Sequence, residues 1–204
     1  MLDKTIRTFT EESASKAPVP GGGGVSALCG ALAASLAEMV TNLTVGKKKY
    51  AAYEDEIRDI MDRAEELRKE LLDCIEKDAE AFAPLAAAYS LDKNSEGYAE
   101  RMETCLQNAA EPPFLIMQYC ADVIRLDERL AEIGSKLAVS DAGTSAMLGY
   151  GALHGAYLNV RVNTRLMKDR ARAEELEERA DRLLNEYSER ALNCFRAVKE
   201  RIDG

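Results

Sequence analysis

Apolar residues recur along most of this 204-residue chain at spacings of three and four positions, the pattern of an amphipathic helix. No stretch of useful length alternates between apolar and polar residues, as a half-buried strand would. The pattern predicts helices over residues 3–14, 24–45, 52–90, 97–111, 113–132, 138–167 and 169–202. We expect a kink near Pro84 and a break at Pro112-Pro113, because proline lacks the N–H that a helix interior uses. These elements predict an all-α fold, a single-domain antiparallel helical bundle over residues 1–204.

Two of the predicted helices, over residues 24–45 and 138–167, are rich in glycine and alanine. The first approaches the ~20 residues that a membrane span needs. Glu38 and Asn42, together with the many small residues, favour a buried core helix instead. Small residues allow two backbones to pack closely, and they also leave room for a ligand between facing helices. The residues are compatible with both explanations, so we predict two small-residue core helices without choosing between them.

Alanine, leucine, glutamate and arginine dominate the composition, with 47% apolar and 31% charged residues, as in a globular helical protein. The formal net charge of −9 disfavours a nucleic-acid partner or an acidic membrane surface. The five cysteines are scattered and His154 is the only histidine, so we expect neither a disulfide framework nor a metal site. Residues 1–10 lack the apolar core of a signal peptide, and the expected compartment is a reducing cytoplasm.

Four consecutive glycines directly precede the first small-residue helix. They are Gly21, Gly22, Gly23 and Gly24, and they follow the segment Pro18-Val19-Pro20. Glycine lets a ligand or another backbone come very close, and the N-terminus of a helix offers free N–H donors to an anion. A turn that only lets two helices pack closely is the alternative. A nucleotide-binding phosphate loop fits less well, because no strand precedes the glycines and no Gly-Lys-Ser/Thr sequence ends them.

Asp78 interrupts the apolar stripe of the long helix predicted over residues 52–90. It lies seven residues after Leu71 and seven before Leu85, both of which belong to the buried face. A carboxylate on a core face is costly unless it is paired or used. Burial also raises the pKa of a carboxyl group, which suits a general acid or base near neutral pH. Asp78 is therefore a candidate catalytic residue, and a structural bond to a helix end or a buried arginine is the alternative.

A second polar stripe runs along the helix predicted over residues 138–167. Asp141, Ser145, Asn159 and Asn163 fall within roughly 80° of one face at ~100° per residue, with small residues between them. This arrangement predicts one wall of a polar cleft, with Asp141 as a second catalytic candidate and the asparagines as binding residues. In the alternative, Ser140 or Asp141 caps the helix and the asparagines make bonds between helices.

Basic residues lie near both candidate regions despite the negative net charge. Arg161 and Arg165 are one helical turn apart, while Lys47 and Lys49 follow the first small-residue helix and adjoin Tyr50. An anionic substrate would suit these cations. Solvated surface charge is the alternative explanation.

Two segments of the chain resemble signatures of the formiminotransferase–cyclodeaminase family. The first is PVPGGGGVSALCGALAASLAEMVTNLTVGKKKY, over residues 18–50. The second begins with Ser-Asp-Ala at residue 140 and continues through Asn-Val-Arg-Val-Asn to residue 169. More narrowly, the chain resembles the cyclodeaminase module and the stand-alone methenyltetrahydrofolate cyclohydrolases. It departs from the family at Gly24, where a serine is common, and at residues 134–136, where an asparagine-containing turn is usual.

The resemblance implies an all-helical homodimer with a folate groove between helices and no metal. A tetrahydrofolate derivative would be the substrate, with no permanently bound cofactor. As a lyase, the enzyme would close formiminotetrahydrofolate and release ammonia; as a hydrolase, it would open methenyltetrahydrofolate with water. Both reactions pass through a tetrahedral carbon and need a proton acceptor and a proton donor. A non-catalytic dimeric helical scaffold is the alternative from another functional class.

The resemblance also assigns expected roles to the candidate residues. Asp78 and Asp141 would provide the acid and base, and Asn159 and Asn163 would orient the pterin or the one-carbon group. The glycines would let folate lie against the backbone. The lysines after Gly46, including Lys47 and Lys49, would hold the glutamyl carboxylates together with Arg161 and Arg165. Tyr50, which follows these lysines, is a further candidate for substrate binding.

Overall fold

In the computed structural model, which describes residues 1–204, the chain forms six α-helices and two short 3-10 helices. The α-helices are α1 (Ile6–Ser13), α2 (Gly22–Asn42), α3 (Glu54–Ala88), α4 (Tyr98–Ile133), α5 (Val139–Thr164) and α6 (Arg170–Asp203). The 3-10 helices are Lys48–Tyr53 and Lys136–Ala138. No residue lies in a strand, so the predicted all-α fold is confirmed.

The break predicted at Pro112-Pro113 is wrong, because α4 continues through both prolines as one helix of 36 residues. Each proline leaves the carbonyl four residues earlier without its helical donor. The Asn163 side chain on α5 supplies the missing donor to Ala109, with Nδ2 3.0 Å from the carbonyl oxygen. Asn108, which Pro112 leaves unpaired, lies at the surface. A neighbouring helix and solvent thus replace the bonds that the prolines remove.

α2 is a central helix that packs against α3, α4 and α5. Its small residues let these neighbours come close: a Cβ added at Gly30 would lie 3.0 Å from both the Cys120 sulfur and a Leu71 methyl. By length and mean hydropathy alone, Gly22–Asn42 could also cross a membrane. However, 56% of its most apolar stretch is buried inside the bundle, as in the core helix of a globular protein.

The two ends of the bundle hold different residues. α2 is antiparallel to α5, since Gly22 lies near Asn159 whereas Ala33, further along α2, lies near Ser145. We call the end that holds Gly21–Gly24 the glycine end and the end that holds Lys47–Lys49 the lysine end. At 1.5 Å per residue, the 21 residues of α2 place the two ends about 30 Å apart.

Candidate functional site

A cavity of about 140 Å³ lies at the glycine end, where the segment before α2 meets α3, α4 and α5. The glycine segment forms its floor with Gly21, Gly22 and Gly23. Polar groups enter it from α3 and α5, and apolar groups close it from α3, α4 and α5. These side chains are Asp78, Asn159, Asn163, Phe82, Pro113 and Val162. Residues from separate parts of the chain thus meet around one small space.

Two of the four glycines are required by the close approach of side chains from other helices. A Cβ at Gly23 would overlap the Asp78 carboxylate, and a Cβ at Gly22 would lie 2.9 Å from Asn159 Nδ2. By contrast, a Cβ at Gly24 or Gly21 would meet only ordinary contacts, at 3.5 Å or more. α2 begins at Gly22 without a side-chain cap. Its first turn therefore stays open to the cavity instead of being covered by its own chain.

Asp78 lies against this first turn of α2 and has no cationic partner. Burial raises the pKa of its carboxyl group, and the backbone N–H of Gly24 opposes that shift only in part. No lysine or arginine lies within ion-pair distance of Asp78. A half-buried carboxyl group with a raised pKa can exchange a proton at the cavity wall.

The two asparagines on α5 each use their amide nitrogen within the protein. Asn159 Nδ2 donates to the Gly155 carbonyl at 2.8 Å. Asn163 Nδ2 donates to the carbonyls of Asn159 and Ala109, at 2.9 and 3.0 Å. The side-chain oxygen of each asparagine accepts no bond within the chain. Both asparagines line the cavity, and each keeps an amide oxygen that can accept a hydrogen bond from a ligand.

The structure does not bring Asp141 to this cavity. Asp141 lies in the first turn of α5, 18 residues before Asn159, which corresponds to about 27 Å along the helix axis. It makes neither an ion pair nor a side-chain hydrogen bond in this chain. The polar stripe does share one face of α5, but that face spans the whole length of the bundle.

The predicted lysine and tyrosine ligands also lie at the lysine end. Lys47 Nζ donates to Ser135 Oγ at 3.3 Å. The hydroxyl oxygen of Tyr50, which is buried, accepts a bond from the Lys136 N–H at 3.0 Å. Lys49 contacts the Tyr50 ring, with Nζ 5.5 Å from its centroid. Within one chain, these residues hold the turns at the lysine end together and do not reach the cavity.

Arg161 turns away from the cavity, although it lies between the two asparagines in sequence. Its guanidinium pairs with Glu177 of α6 at 2.7 Å. At ~100° per residue, positions 159 and 161 point to opposite sides of α5. The charge of Arg161 is therefore already compensated within the chain.

Sequence reasoning missed the apolar walls of the cavity. Phe82 lies one turn after Asp78 on the same face of α3, which was a signal that this ring would share its surroundings. Pro113 was interpreted as part of a helix break, and its position in the cavity wall was therefore not predicted. Val162 lies between Arg161 and Asn163 in the sequence, and nothing in its local pattern indicated that it lines the cavity.

Comparisons with known proteins agree with this architecture. The sequence model of the formiminotransferase-cyclodeaminase family matches residues 5–182. A methenyltetrahydrofolate cyclohydrolase from Methylorubrum extorquens is 38% identical over 98% of this chain and 99% of its own length. A formimidoyltransferase-cyclodeaminase from Rattus norvegicus is 29% identical over 98% of this chain, which spans only 38% of that longer protein. The crystal structure of a formiminotetrahydrofolate cyclodeaminase from Thermotoga maritima aligns with a TM-score of 0.84 and 32% identity, over 100% of this chain and 98% of that one.

Proposed function

Because this chain belongs to the formiminotransferase-cyclodeaminase family, we propose that it is a tetrahydrofolate one-carbon enzyme with methenyltetrahydrofolate cyclohydrolase activity, formiminotetrahydrofolate cyclodeaminase activity, or both. The observation that carries the proposal is Asp78, a carboxyl group with a raised pKa and no cationic partner in a cavity at the start of α2. The cyclohydrolase reaction is the first to test. The relative with that name matches this chain over nearly the full length of both proteins.

Asp78 can serve both reactions as the group that accepts and then returns a proton. In the cyclohydrolase reaction, water adds to the methenyl carbon while Asp78 accepts its proton. The bond from that carbon to N5 then breaks and N5 takes this proton. The new hydroxyl group gives up its own proton through Asp78 to solvent, and 10-formyltetrahydrofolate forms. In the cyclodeaminase reaction, the formimino nitrogen takes a proton from solvent as N10 adds to the formimino carbon. Asp78 passes the N10 proton to the resulting amino group, the C–N bond to that group breaks, and ammonia leaves. A raised pKa brings the titration of this carboxyl group closer to neutral pH, which favours a group that both accepts and donates a proton.

The cavity walls suit the pterin ring of folate. The ring carries several N–H donors, and the free side-chain oxygens of Asn159 and Asn163 can accept them. Phe82, Pro113 and Val162 provide apolar contacts for the faces of a flat heterocycle. The glycine floor lets the ring lie close to the backbone of α2.

The test of this function follows the near-ultraviolet absorbance of the methenyl form in two separate mixtures. With 5,10-methenyltetrahydrofolate, accelerated loss of absorbance establishes the cyclohydrolase reaction. With 5-formiminotetrahydrofolate, gain of absorbance with ammonia release establishes the cyclodeaminase reaction. Folded protein that is silent in both mixtures and binds neither folate would overturn the proposal in favour of a non-catalytic scaffold.

The role of Asp78 is tested by Asp78→Asn, with Asp73→Asn on the exposed face of α3 as the matched control. The amide cannot accept the proton, so kcat should fall by about 1,000-fold, within the range of a lost acid–base group. The control should keep its activity, and helical circular dichroism should be unchanged in both variants. Full turnover by Asp78→Asn would refute the catalytic role and leave the rest of the site open to folate.

We also propose that the chain forms a homodimer through the outer face of α2. Val25, Leu32, Met39 and Leu43 recur along one face of this helix and are 37–49% exposed. A helix that is apolar on all sides is normally covered on all sides, and a continuous exposed apolar face marks an interaction surface. A second copy of the same face would cover it with an identical partner.

The dimer is tested by Leu32→Glu, which places a charge in the middle of this face. Sedimentation should show a dimer for the wild type and a monomer for the variant. Leu137→Glu is the matched control, because Leu137 is 88% exposed and lies outside α2, on the 3-10 helix Lys136–Ala138. A wild type that sediments as a monomer would overturn the homodimer.

A further inference from the structure

A second cleft, of about 350 Å³, continues the groove that contains the cavity at the glycine end. α4 lines both, and residues just beyond the C-terminal ends of α3 and α5 complete the cleft. From cavity to cleft, the chain of α3 leads from Phe82 to Tyr89 and that of α5 from Val162 to Leu166, while α4 runs from Ala109 back to Leu106. These steps of three to seven residues on one helix face correspond to about 5 to 10 Å. The cleft is therefore the neighbouring section of one groove.

The cleft combines exposed aromatic and apolar side chains with two lysines. Tyr89 and Leu166 are 49% and 50% exposed, and Tyr98 lines the cleft with them. Lys93 comes from the loop between α3 and α4, and Lys168 comes from the turn between α5 and α6. Neither lysine forms an ion pair. An exposed apolar surface next to two lysines that form no ion pair suits a ligand with an aromatic ring and carboxylates.

The one carboxylate in the cleft is already occupied by the chain. Glu103 accepts bonds from the backbone N–H groups of Lys168, at 2.7 Å, and Asp169, at 3.1 Å. It also accepts a bond from Gln107 Nε2 at 3.1 Å. Although burial opposes the change, these N–H groups and, less strongly, the charge of Lys168 lower the pKa of Glu103. Glu103 thus stays ionised, and its bonds to the backbone fasten the turn that carries Lys168.

We propose that this cleft binds the p-aminobenzoylglutamate part of folate, with Lys93 and Lys168 pairing with the glutamate carboxylates. The inference rests on the proposed function, since it takes the pterin to occupy the neighbouring cavity. The benzoyl ring packs against Tyr89 and Leu166, and the tail leaves the groove between the two lysines. We call this cleft the tail site, because it would bind the p-aminobenzoylglutamate tail. It lies at the glycine end, whereas the lysines after α2 lie about 30 Å away.

The test compares two substrates that differ only in the tail, 5,10-methenyltetrahydrofolate and 5,10-methenyltetrahydropteroate, which lacks the glutamate. In the double variant Lys93→Ala/Lys168→Ala, KM for the folate should rise about tenfold with kcat unchanged, because two charge-assisted contacts to the tail are lost. KM for the pteroate should stay at its wild-type value. Both lysines are exposed, so the variant should keep its fold.

A matched control removes the same charge elsewhere. Lys48→Ala/Lys136→Ala changes two exposed lysines at the lysine end and should leave both KM values unchanged. A readout without turnover is calorimetric titration with p-aminobenzoylglutamate alone. The wild type and the control should bind this fragment, and Lys93→Ala/Lys168→Ala should not.

The outcomes separate this inference from the proposed function. A wild type that turns over folate and pteroate with equal KM, or a lysine variant that keeps wild-type KM for folate, overturns the tail site and leaves the enzyme assignment standing. A wild type that neither turns over nor binds either compound overturns the enzyme assignment and the tail site with it.

Discussion

The glycine end and the lysine end of the bundle are both rich in polar groups, but they use them differently. At the lysine end, the Ser135 N–H donates to Thr44 Oγ1 at 2.8 Å, the Lys136 N–H donates to the Tyr50 hydroxyl, and Arg201 donates to the carbonyl of Gly134 at 2.9 Å. At the glycine end, the Asp78 carboxylate has no ion pair and two asparagine oxygens accept no bond. Polar groups that the chain leaves unpaired around a cavity are available to a ligand, whereas paired ones hold turns together.

After the loss expected for Asp78→Asn, the next largest effect should come from Gly23→Ala. The new methyl group would overlap the Asp78 carboxylate and displace it from the first turn of α2. We expect kcat/KM to fall by about 100-fold, because a small misplacement of a catalytic group is enough to lose this much. Gly151→Ala, where a Cβ meets nothing within 4 Å, should keep full activity. Equal activity of both variants would show that the close approach at Gly23 does not matter for catalysis.

Asp127 sharpens the comparison, because it is an unpaired carboxyl group buried in the core of α4. Neither of its oxygens has a hydrogen-bond partner. Burial raises the pKa of Asp127 well above its ordinary value, against a smaller opposite effect of the Ser145 hydroxyl. Above the ordinary aspartate pKa of about 4, the unfolded chain releases this proton while the folded chain keeps it. The free energy of unfolding should therefore fall as pH rises, until the folded-state pKa is reached.

Asp127→Asn should remove this pH dependence, since the amide stays neutral in both states. At pH 8 we expect the variant to be more stable than the wild type by about 1 to 3 kcal/mol in urea unfolding. At pH 4 the difference should vanish or reverse. Parallel pH profiles for the two proteins would mean that Asp127 finds a partner for its charge.

Asn163 has both a paired and a free polar group, because its side-chain nitrogen bonds within the chain and its side-chain oxygen does not. Asn163→Ala removes the donor to the Ala109 carbonyl, which Pro113 has left without a helical partner. We expect a loss of about 1 to 3 kcal/mol in the free energy of unfolding, the cost of one buried unpaired carbonyl. Asn42→Ala is the control, since that exposed amide also bonds a carbonyl one turn earlier. Similar losses in both variants would contradict a special role of Asn163 in bridging the prolines.

The smallest effect should come from Lys47→Ala at the lysine end. Lys47 is exposed, and the only bond of its side chain is a long one to Ser135. We expect a change in the free energy of unfolding within about 0.5 kcal/mol and unchanged kcat and KM. A marked rise in KM would break the comparison, because it would place the lysine end of one copy at the active site of another.

Much of the fold could be predicted because its signals are local. The three- and four-residue spacing indicated α2, α3, α5 and α6 to within about one turn at each end. The position of Asp78 in an apolar stripe also predicted a carboxyl group with a raised pKa. The prolines of α4 were misinterpreted, because the donor that replaces their missing N–H comes from Asn163, 50 residues later in the chain.

The sequence by itself determined which residues share a helix and a face, since both follow from a repeat of 3.6 residues. Only the tertiary structure decided which of those residues meet. Asp78 and Asn159 both approach the glycines, because α3 and α5 run antiparallel to α2 and bring distant positions to the same height. Asp141 shares a face with Asn159 but lies about 27 Å away along the axis. The local sequence thus determines the angular position of a side chain around its helix. Which positions of different helices lie at the same level along the bundle axis depends on how the helices pack.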